Sequence, residues 1–370
     1  MRVLMTGGGT GGHVNPAIAI ADTIKAHIPD AEIAFVGTKR GIENKLVPAA
    51  GYELYHVDVR GFRRSLSPAN IRAAFLALVS PLAAKKIVKK FRPDVVIGTG
   101  GYVSWPLIVA ASRLGIPSAV HESNAVPGLA VRKLVPYVDR IFVNFEVTGK
   151  ALGAPEKTMH VGSPLRSDFG MIPKSEARAK LGLPDACRRY IVSFGGSLGA
   201  AALNKAAAYM LGESAKEKKY QHIHGYGQHD EKFLDEVHAA GVKEEENPQI
   251  RMLEYIDNMP ECLAAADLVI GRAGAITLTE IEATGKCSIL IPSPNVAENH
   301  QFHNAMALVN RDAAVMIEEK DLTGEKLWET VNTILSEPGR AEEIGKNAKA
   351  MAVLDANDRI YNIICEKAKK

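Results

Sequence analysis

Arg2-Val-Leu-Met-Thr-Gly-Gly-Gly-Thr-Gly-Gly-His13 is an apolar run that breaks into glycines just before a helical pattern begins. Tyr190-Ile-Val-Ser-Phe-Gly-Gly-Ser-Leu-Gly-Ala200 repeats that layout just past the middle of the chain. Strand, glycine turn and helix start, in that order, aim backbone N–H groups and the positive end of a helix at phosphate. A second pair follows in the same order: Asp94-Val-Val-Ile-Gly-Thr-Gly-Gly101 and Asp267-Leu-Val-Ile-Gly-Arg-Ala-Gly274. Each leads into a helical stretch, a small-residue turn and another strand (Gly115 to His121, Gly285 to Ile291). Two matched pairs indicate two similar α/β halves rather than one large sheet, with a ligand expected in the cleft between them.

Size agrees with two halves. The chain has 370 residues, more than the ~250–300 that one core serves. Its 46% hydrophobic and 24% charged residues are those of an ordinary soluble protein. Cys187, Cys262, Cys287 and Cys365 are far apart, without the paired spacing of a zinc or dithiol site. They suit a reducing compartment. The start does not resemble a signal peptide, and no apolar run reaches the ~20 residues of a membrane span. A cytosolic protein is expected, unless something attaches it to a surface.

The net charge of +3 is unevenly spread. Between Asp58 and Asp94 there is no acid, while Arg60, Arg63, Arg64, Arg72, Lys85, Lys86, Lys89, Lys90 and Arg92 all fall there. Ile71, Ala74, Phe75, Leu78, Val79 and Leu82 follow the spacing of an amphipathic helix inside that window. Apolar residues among cations suit an anionic membrane surface, each cation contributing ~1 kcal/mol there. A packed core helix with solvated lysines is the plainer alternative.

Strands are expected at Val3–Met5, Glu32–Gly37, Tyr52–Val59, Val95–Gly98, Ser118–His121 and Arg140–Val143. Asn15-Pro16 reads as an N-cap with proline at the first helical position, opening a helix from Ala17 to His27. Gly162 to Arg166 looks like a linker, Lys174–Leu181 a helix, and the tail from Thr323 wholly helical. Gly7, Gly9 and Gly12 also satisfy G-x-G-x-x-G, which raises a dinucleotide-dependent oxidoreductase. That motif needs an acid at the end of the second strand for the ribose hydroxyls. Phe35-Val-Gly-Thr-Lys-Arg40 offers none, although Lys39 and Arg40 leave room for a phosphorylated dinucleotide; a one-cofactor dehydrogenase has no use for a second set of phosphate loops.

Seven motifs in order carry a resemblance: Thr6-Gly-Gly-Gly-Thr-Gly-Gly-His13, Gly100-Gly-Tyr-Val-Ser104, His121-Glu-Ser-Asn124, Gly162-Ser-Pro-Leu-Arg166, Gly195-Gly-Ser-Leu-Gly-Ala200, Gly274-Ala-Ile-Thr-Leu-Thr-Glu280 and Gln301-Phe-His-Asn304. Together they resemble the MurG family, the peptidoglycan N-acetylglucosaminyltransferases that convert lipid I to lipid II. The resemblance implies a GT-B fold, α/β, with two Rossmann-like domains whose parallel sheets face each other across a cleft. Its domains would be 1–163, for acceptor and membrane; 164–340, for UDP-GlcNAc; and 341–370, a helical segment packing back on the first domain. It implies an inverting transfer of N-acetylglucosamine from UDP-GlcNAc to the muramyl C4 hydroxyl of a polyprenyl-diphosphate-MurNAc-pentapeptide. The setting would be the cytoplasmic face of the cell membrane, with the protein peripheral to it and no nucleic acid involved. A related GT-B enzyme glycosylating another lipid, such as diacylglycerol, is the alternative, and a non-enzymatic nucleotide-sugar binder a third. Trp105 stands where the family usually has glycine, and Leu198 where glutamine is common.

No D-x-D pair occurs in the chain, so no metal or cofactor is expected. Helix N-termini and cations would then hold the diphosphate. Gly274-Ala-Ile-Thr277 opens a helix directly after a strand, and its N–H groups (Ala275, Ile276) with Thr277 are candidates. Glu280, further along with Leu278 and Thr279, suits the two ribose hydroxyls because a carboxylate accepts two hydrogen bonds at once. By resemblance Arg166 adds charge at the nucleotide and Ile256 offers its backbone to uracil. Ser197 fits the donor phosphate, Gln301 the sugar hydroxyls, and Asn124 would reach the donor sugar from the first domain. The acceptor diphosphate suits Thr10, Gly11 and Gly12 and the Gly100, Gly101, Tyr102 loop; resemblance also puts Thr10 to Gly12 near the donor. His13 is the candidate base, since an ordinary histidine pKa of ~6.5 suits proton removal near neutrality. Glu122 is the alternative base.

Overall fold

The apolar runs between glycine turns become the strands of two separate parallel sheets. The computed structural model describes residues 1–61, 68–165, 169–183, 188–228, 230, 232–243 and 245–368. The first sheet holds β1 (Arg2–Thr6), β2 (Glu32–Gly37), β3 (Glu53–His56), β4 (Val95–Gly98), β5 (Ser118–Glu122), β6 (Arg140–Val143) and β7 (Thr158–His160), in the order 3-2-1-4-5-6-7. The second holds β8 (Tyr190–Phe194), β9 (Gln221–Gly225), β10 (Ile250–Leu253), β11 (Leu268–Gly271), β12 (Cys287–Leu290) and β13 (Val315–Met316), in the order 10-9-8-11-12-13. Parallel strands are covered by crossover helices on both faces, which is why these segments read as continuous apolar runs.

The helices of the first half are α1 (Gly11–His27), α2 (Glu43–Ala49), α3 (Pro68–Phe91), α4 (Ser104–Ser112), α5 (Leu129–Leu134) and α6 (Glu146–Leu152). Those that follow are α7 (Lys174–Lys180), α8 (Ala201–Glu217), α9 (Phe233–Ala239), α10 (Met259–Ala265), α11 (Ala275–Thr284), α12 (His300–Val309), α13 (Gly324–Ser336), α14 (Arg340–Met351) and α15 (Ala356–Ala368).

The sequence repeat falls on the strands that matter most. In each sheet the order reverses between the two repeated strands, β1 and β4 in one, β8 and β11 in the other. Open α/β sheets bind ligands outside the carboxyl ends of strands at such a reversal. One hydrogen-bonding device is duplicated as well. Asp94 accepts from the Arg2 N–H at 2.7 Å, and Asp267 accepts from the Tyr190 N–H at 2.8 Å. Each aspartate thus pins the start of the neighbouring strand. Asp267 also takes Lys174 at 2.6 Å and Arg189 at 3.1 Å, which ties α7 to the sheet.

Two compact units result, Met1–Arg166 with Val353–Lys370, and Ser167–Ala352. In the first, Ile360 and Ile364 of α15 are buried with Val3, Met5, Ile20 and Val95. In the second, α14 lies so close on the turn before β12 that a Cβ at Gly345 would stand 2.5 Å from the Gly285 carbonyl.

α1 departs from its expected start. It opens at Gly11 with Thr10 as N-cap, so Pro16 lies inside it rather than at its first position. The cost is one bond, to the Gly12 carbonyl, because proline lacks the N–H. β3 is shorter than Tyr52–Val59, ending at His56.

α3 turns its amphipathic stripe outward. Ala73, Ser80, Ala84 and Val88 are buried, while Ile71 and Leu78 are each 76% exposed and Phe75 and Leu82 are exposed beside them. Small inward residues let α3 lie close on α4, so the large apolar side chains are left outside. Trp105 closes this packing. Its indole N–H donates to the Ala77 carbonyl at 2.8 Å. Pro81, four residues on, has no N–H for that carbonyl. Trp105 therefore turns toward α3 and Tyr137.

Candidate active site

In the first unit, the loops after β1 and β4 close around one imidazole. His13 lies in the first turn of α1 and is half-buried. Its Nδ1 stands 3.0 Å from the Thr99 carbonyl. A carbonyl only accepts, so Nδ1 holds a proton, and in the neutral ring the lone pair falls on Nε2. The Thr99 hydroxyl in turn donates to the His13 carbonyl at 2.6 Å. Gly101 has φ +74, and a Cβ there would stand 2.7 Å from the Gly8 carbonyl and 3.1 Å from the imidazole. Glycine is required for that approach. Ser104 donates to the Gly100 carbonyl at 2.7 Å and fixes the loop from below. The first rungs of α1 run from His13 N–H and Val14 N–H to the Thr10 carbonyl. The N–H groups of Gly11 and Gly12 precede that ladder and point out of the helix end.

Glu122 is differently employed. It is buried, Oε1 accepting from the Asn124 backbone and side chain at 2.9 and 3.0 Å, and Oε2 from the Gly128 N–H at 2.9 Å. The carboxylate shapes the loop that carries Asn124. Its neighbour His121 is fully buried, with its Nε2 N–H donating to the Gly162 carbonyl at 2.8 Å. Burial drives its pKa down to about 4, although the Gly162 carbonyl acts the other way.

In the second unit, the loops after β8 and β11 are again glycine turns. Gly199 has φ +79, and a Cβ there would stand 2.2 Å from the Tyr226 carbonyl. Ser197 is exposed beside the equally exposed Leu198. α11 begins with Gly274 as N-cap, and its first rung is Leu278 N–H to the Gly274 carbonyl. The N–H groups of Ala275, Ile276 and Thr277 precede that rung. Ile276, Thr277 and Glu280 are half-buried along one side of α11, whereas Leu278 and Thr279 are buried. The Thr279 hydroxyl is spent on the Ala275 carbonyl at 2.9 Å. Gln301 accepts from the Ser293 N–H at 2.9 Å. The Ile256 side chain is buried against Gly225, which leaves its backbone as what it can offer. Arg166, Arg63 and Arg64 lie outside the described residues.

Three residues that hold these loops escape a reading of the sequence. Arg272, just before Gly274, donates to the Ile291 carbonyl at 3.1 Å and pairs with Glu319. Thr99 orients His13. Glu43 brings a carboxylate to the end of β2, where the strand itself has none. It is fully buried and its oxygens are taken by Thr38 and Gly9, so it does not present itself to a ribose.

A buried polar chain supports the second unit. The His224 Nε2 N–H donates to Asn204 Oδ1 at 3.1 Å, so its Nδ1 accepts from Ser193 at 2.6 Å. The Ser193 oxygen then accepts from His222 Nε2 at 2.7 Å. Burial pushes both imidazoles down to about 3. Unfolded histidines titrate near ~6.5, so on acidification the unfolded chain takes up protons first. Stability is full above that value and is lost as the pH falls toward about 4 for His121 and about 3 for His222 and His224. The loss reaches roughly 2 kcal/mol per histidine by about pH 5. Thermal melts should show Tm several degrees lower at pH 5 than at pH 7.5; equal values would contradict this.

Two parallel α/β sheets, each with a pair of glycine loops at its switch point, define a Rossmann-like architecture of the GT-B class. Residues 3–143 match the glycosyltransferase family 28 N-terminal domain and residues 190–360 its C-terminal domain. The chain belongs to glycosyltransferase family 28. It is 42% identical, over 98% of its length and 97% of the relative's, to the UDP-N-acetylglucosamine--N-acetylmuramyl-(pentapeptide) pyrophosphoryl-undecaprenol N-acetylglucosamine transferase of Acetivibrio thermocellus. The protein of the same name from Caldanaerobacter subterraneus subsp. tengcongensis is 43% identical over 98% of this chain and 99% of its own. Among solved structures, Acinetobacter baumannii MurG superposes with a TM-score of 0.77 at 28% identity, covering 99% of both chains.

Proposed function

We propose that the chain transfers N-acetylglucosamine from UDP-GlcNAc to the muramyl C4 hydroxyl of a polyprenyl-diphosphate-MurNAc-pentapeptide, with inversion and without a metal. The carrying observation is the contrast between the two loop pairs: in the first, the His13 Nδ1 is engaged by the Thr99 carbonyl and Nε2 is not, and in the second the N–H groups of Ala275, Ile276 and Thr277 precede the first rung of α11. UDP lies on the second unit, its diphosphate at the start of α11 and its ribose hydroxyls on Glu280. Arg166, Ser197 and Gln301 complete the donor contacts, and the Ile256 backbone meets the uracil. The acceptor lies on the first unit, at Gly11, Gly12 and the Gly100–Tyr102 loop, with Asn124 toward the donor sugar. His13 Nε2 takes the proton of the C4 hydroxyl as that oxygen bonds to the anomeric carbon. The bond to the diphosphate breaks on the opposite side, and UDP leaves with the electron pair on its terminal phosphate oxygen. Helix N–H groups aimed at that oxygen stabilise the developing charge.

Labelled UDP-GlcNAc incubated with this acceptor should give labelled lipid and one UDP per transfer, in EDTA as well. Labelling of diacylglycerol instead would favour the other lipid acceptor; UDP binding without release would favour a non-enzymatic role.

The acceptor's prenyl chain requires a membrane, and α3 suits its surface. Ile71, Phe75, Leu78 and Leu82 are exposed at helical spacing, and Lys85, Lys86, Lys89 and Lys90 follow in the last turns. Among the described residues no helix is long and apolar enough to cross a bilayer. Docking on the anionic cytoplasmic leaflet joins apolar insertion to ~1 kcal/mol per nearby cation. Replacing the four lysines with glutamate should release the protein from phosphatidylglycerol vesicles in a sedimentation assay. Unchanged sedimentation would defeat this docking mode.

A further inference from the structure

A fully buried carboxylate outside the proposed reacting groups ties the glycine loop after β1 to the turn after β2. Glu43 opens α2 and is 0% exposed. Its Oε2 accepts from the Gly9 N–H at 3.1 Å. Its Oε1 accepts from the Thr38 N–H at 2.9 Å and the Thr38 hydroxyl at 2.8 Å. The backbone is shaped to admit it: a Cβ at Gly8 would stand 2.9 Å from its carboxyl carbon, and one at Gly37 2.7 Å from its Cγ. Burial alone would raise its pKa, but the Thr38 and Gly9 donors outweigh burial and hold the group below the usual carboxylate value. Across the loop, the Tyr102 ring lies 3.3 Å from where a Gly9 Cβ would be. Burial, and then the Glu43 charge, push the Tyr102 phenol up.

We propose that Glu43 is a positioning residue for acceptor binding, holding the first glycine loop so that an incoming diphosphate meets the Gly11 and Gly12 N–H groups beside His13. This rests on the reading that the acceptor occupies the first unit. Gly9, at φ +86, is fixed with its N–H turned inward to Glu43, which withdraws it from any anion. The helix-end N–H groups of Gly11 and Gly12 precede the first rung of α1, and they adjoin the base in sequence. Glutamine has nearly the same shape but cannot do the same work. Its amide can accept on one side only, and its NH2 would face an N–H of Gly9 or Thr38. A donor facing a buried donor costs more than a lost bond.

The test uses the full chain, a short-prenyl diphosphate-MurNAc-pentapeptide as acceptor, and calorimetric UDP binding. Glu43→Gln should lower acceptor kcat/KM about 30-fold, with UDP affinity within about twofold of the parent. Glu43→Asp, which keeps the charge, should recover part of that loss. Thr38→Val, which keeps the carboxylate and removes one donor, should lose several-fold on the acceptor side and remains informative if Glu43→Gln does not fold. Acceptor kcat/KM within threefold of the parent in both Glu43→Gln and Thr38→Val would overturn the proposal. So would UDP affinity falling in step with activity, since a general structural defect does that. His13→Asn and Glu280→Ala measured alongside separate the two levels. If they keep acceptor-side and donor-side defects while Glu43→Gln behaves as parent, the positioning role alone fails; if they do not, the reading beneath it fails.

Discussion

His13→Asn should lower kcat about a thousandfold and leave UDP affinity within about twofold of the parent, by steady-state kinetics and calorimetry. The size follows from general-base catalysis, which typically supplies 10²–10⁴ in rate. Asparagine is chosen because its amide N–H can still reach the Thr99 carbonyl, now 3.0 Å from Nδ1, so the loop stays closed. What disappears is the Nε2 lone pair. kcat and kcat/KM should therefore fall together, the signature of an interaction made in the transition state. A variant with kcat within tenfold of the parent would remove His13 from the role. Glu122 would be a poor replacement, since Asn124 and Gly128 already occupy both of its oxygens.

The second large effect lies on the donor side. Glu280→Ala should weaken UDP binding about 50-fold and raise the KM for UDP-GlcNAc in proportion, with a smaller change in kcat. Two hydrogen bonds to a charged acceptor are lost, less the water that replaces it. The chemical signature is sharper than the size. The parent should prefer UDP over 2′-deoxy-UDP, and Glu280→Ala should bind the two alike. That double comparison isolates the ribose contact from any general disturbance of α11. A variant that keeps the full preference would place the ribose elsewhere.

Much of the fold was legible because buried parallel strands are continuous apolar runs. β1, β4, β8 and β11 each read directly from the residues before a glycine turn, and the repeat showed that they come in pairs. The start of α11 was legible for the same reason. What stayed hidden depends on contacts distant in sequence. The tautomer of His13 is set by Thr99, and Glu43 reaches Gly9 only after β2 and the following turn bring it back. A search for an acid at the strand end stops at Arg40, three residues short. Periodicity found the stripe on α3 but could not orient it. The decision lay with Ala73, Ser80 and Ala84, whose small size lets that side pack closely. Pro81 and Trp105 gave no joint signal, because the carbonyl that links them belongs to Ala77.

Crystals of the full chain grown with UDP test the division of labour between the units most directly. The expected density has the ribose hydroxyls on the Glu280 carboxylate and the diphosphate on the N–H groups of Ala275 to Thr277. UDP seated instead against Gly11, Gly12 and His13, with α11 bare, would contradict it.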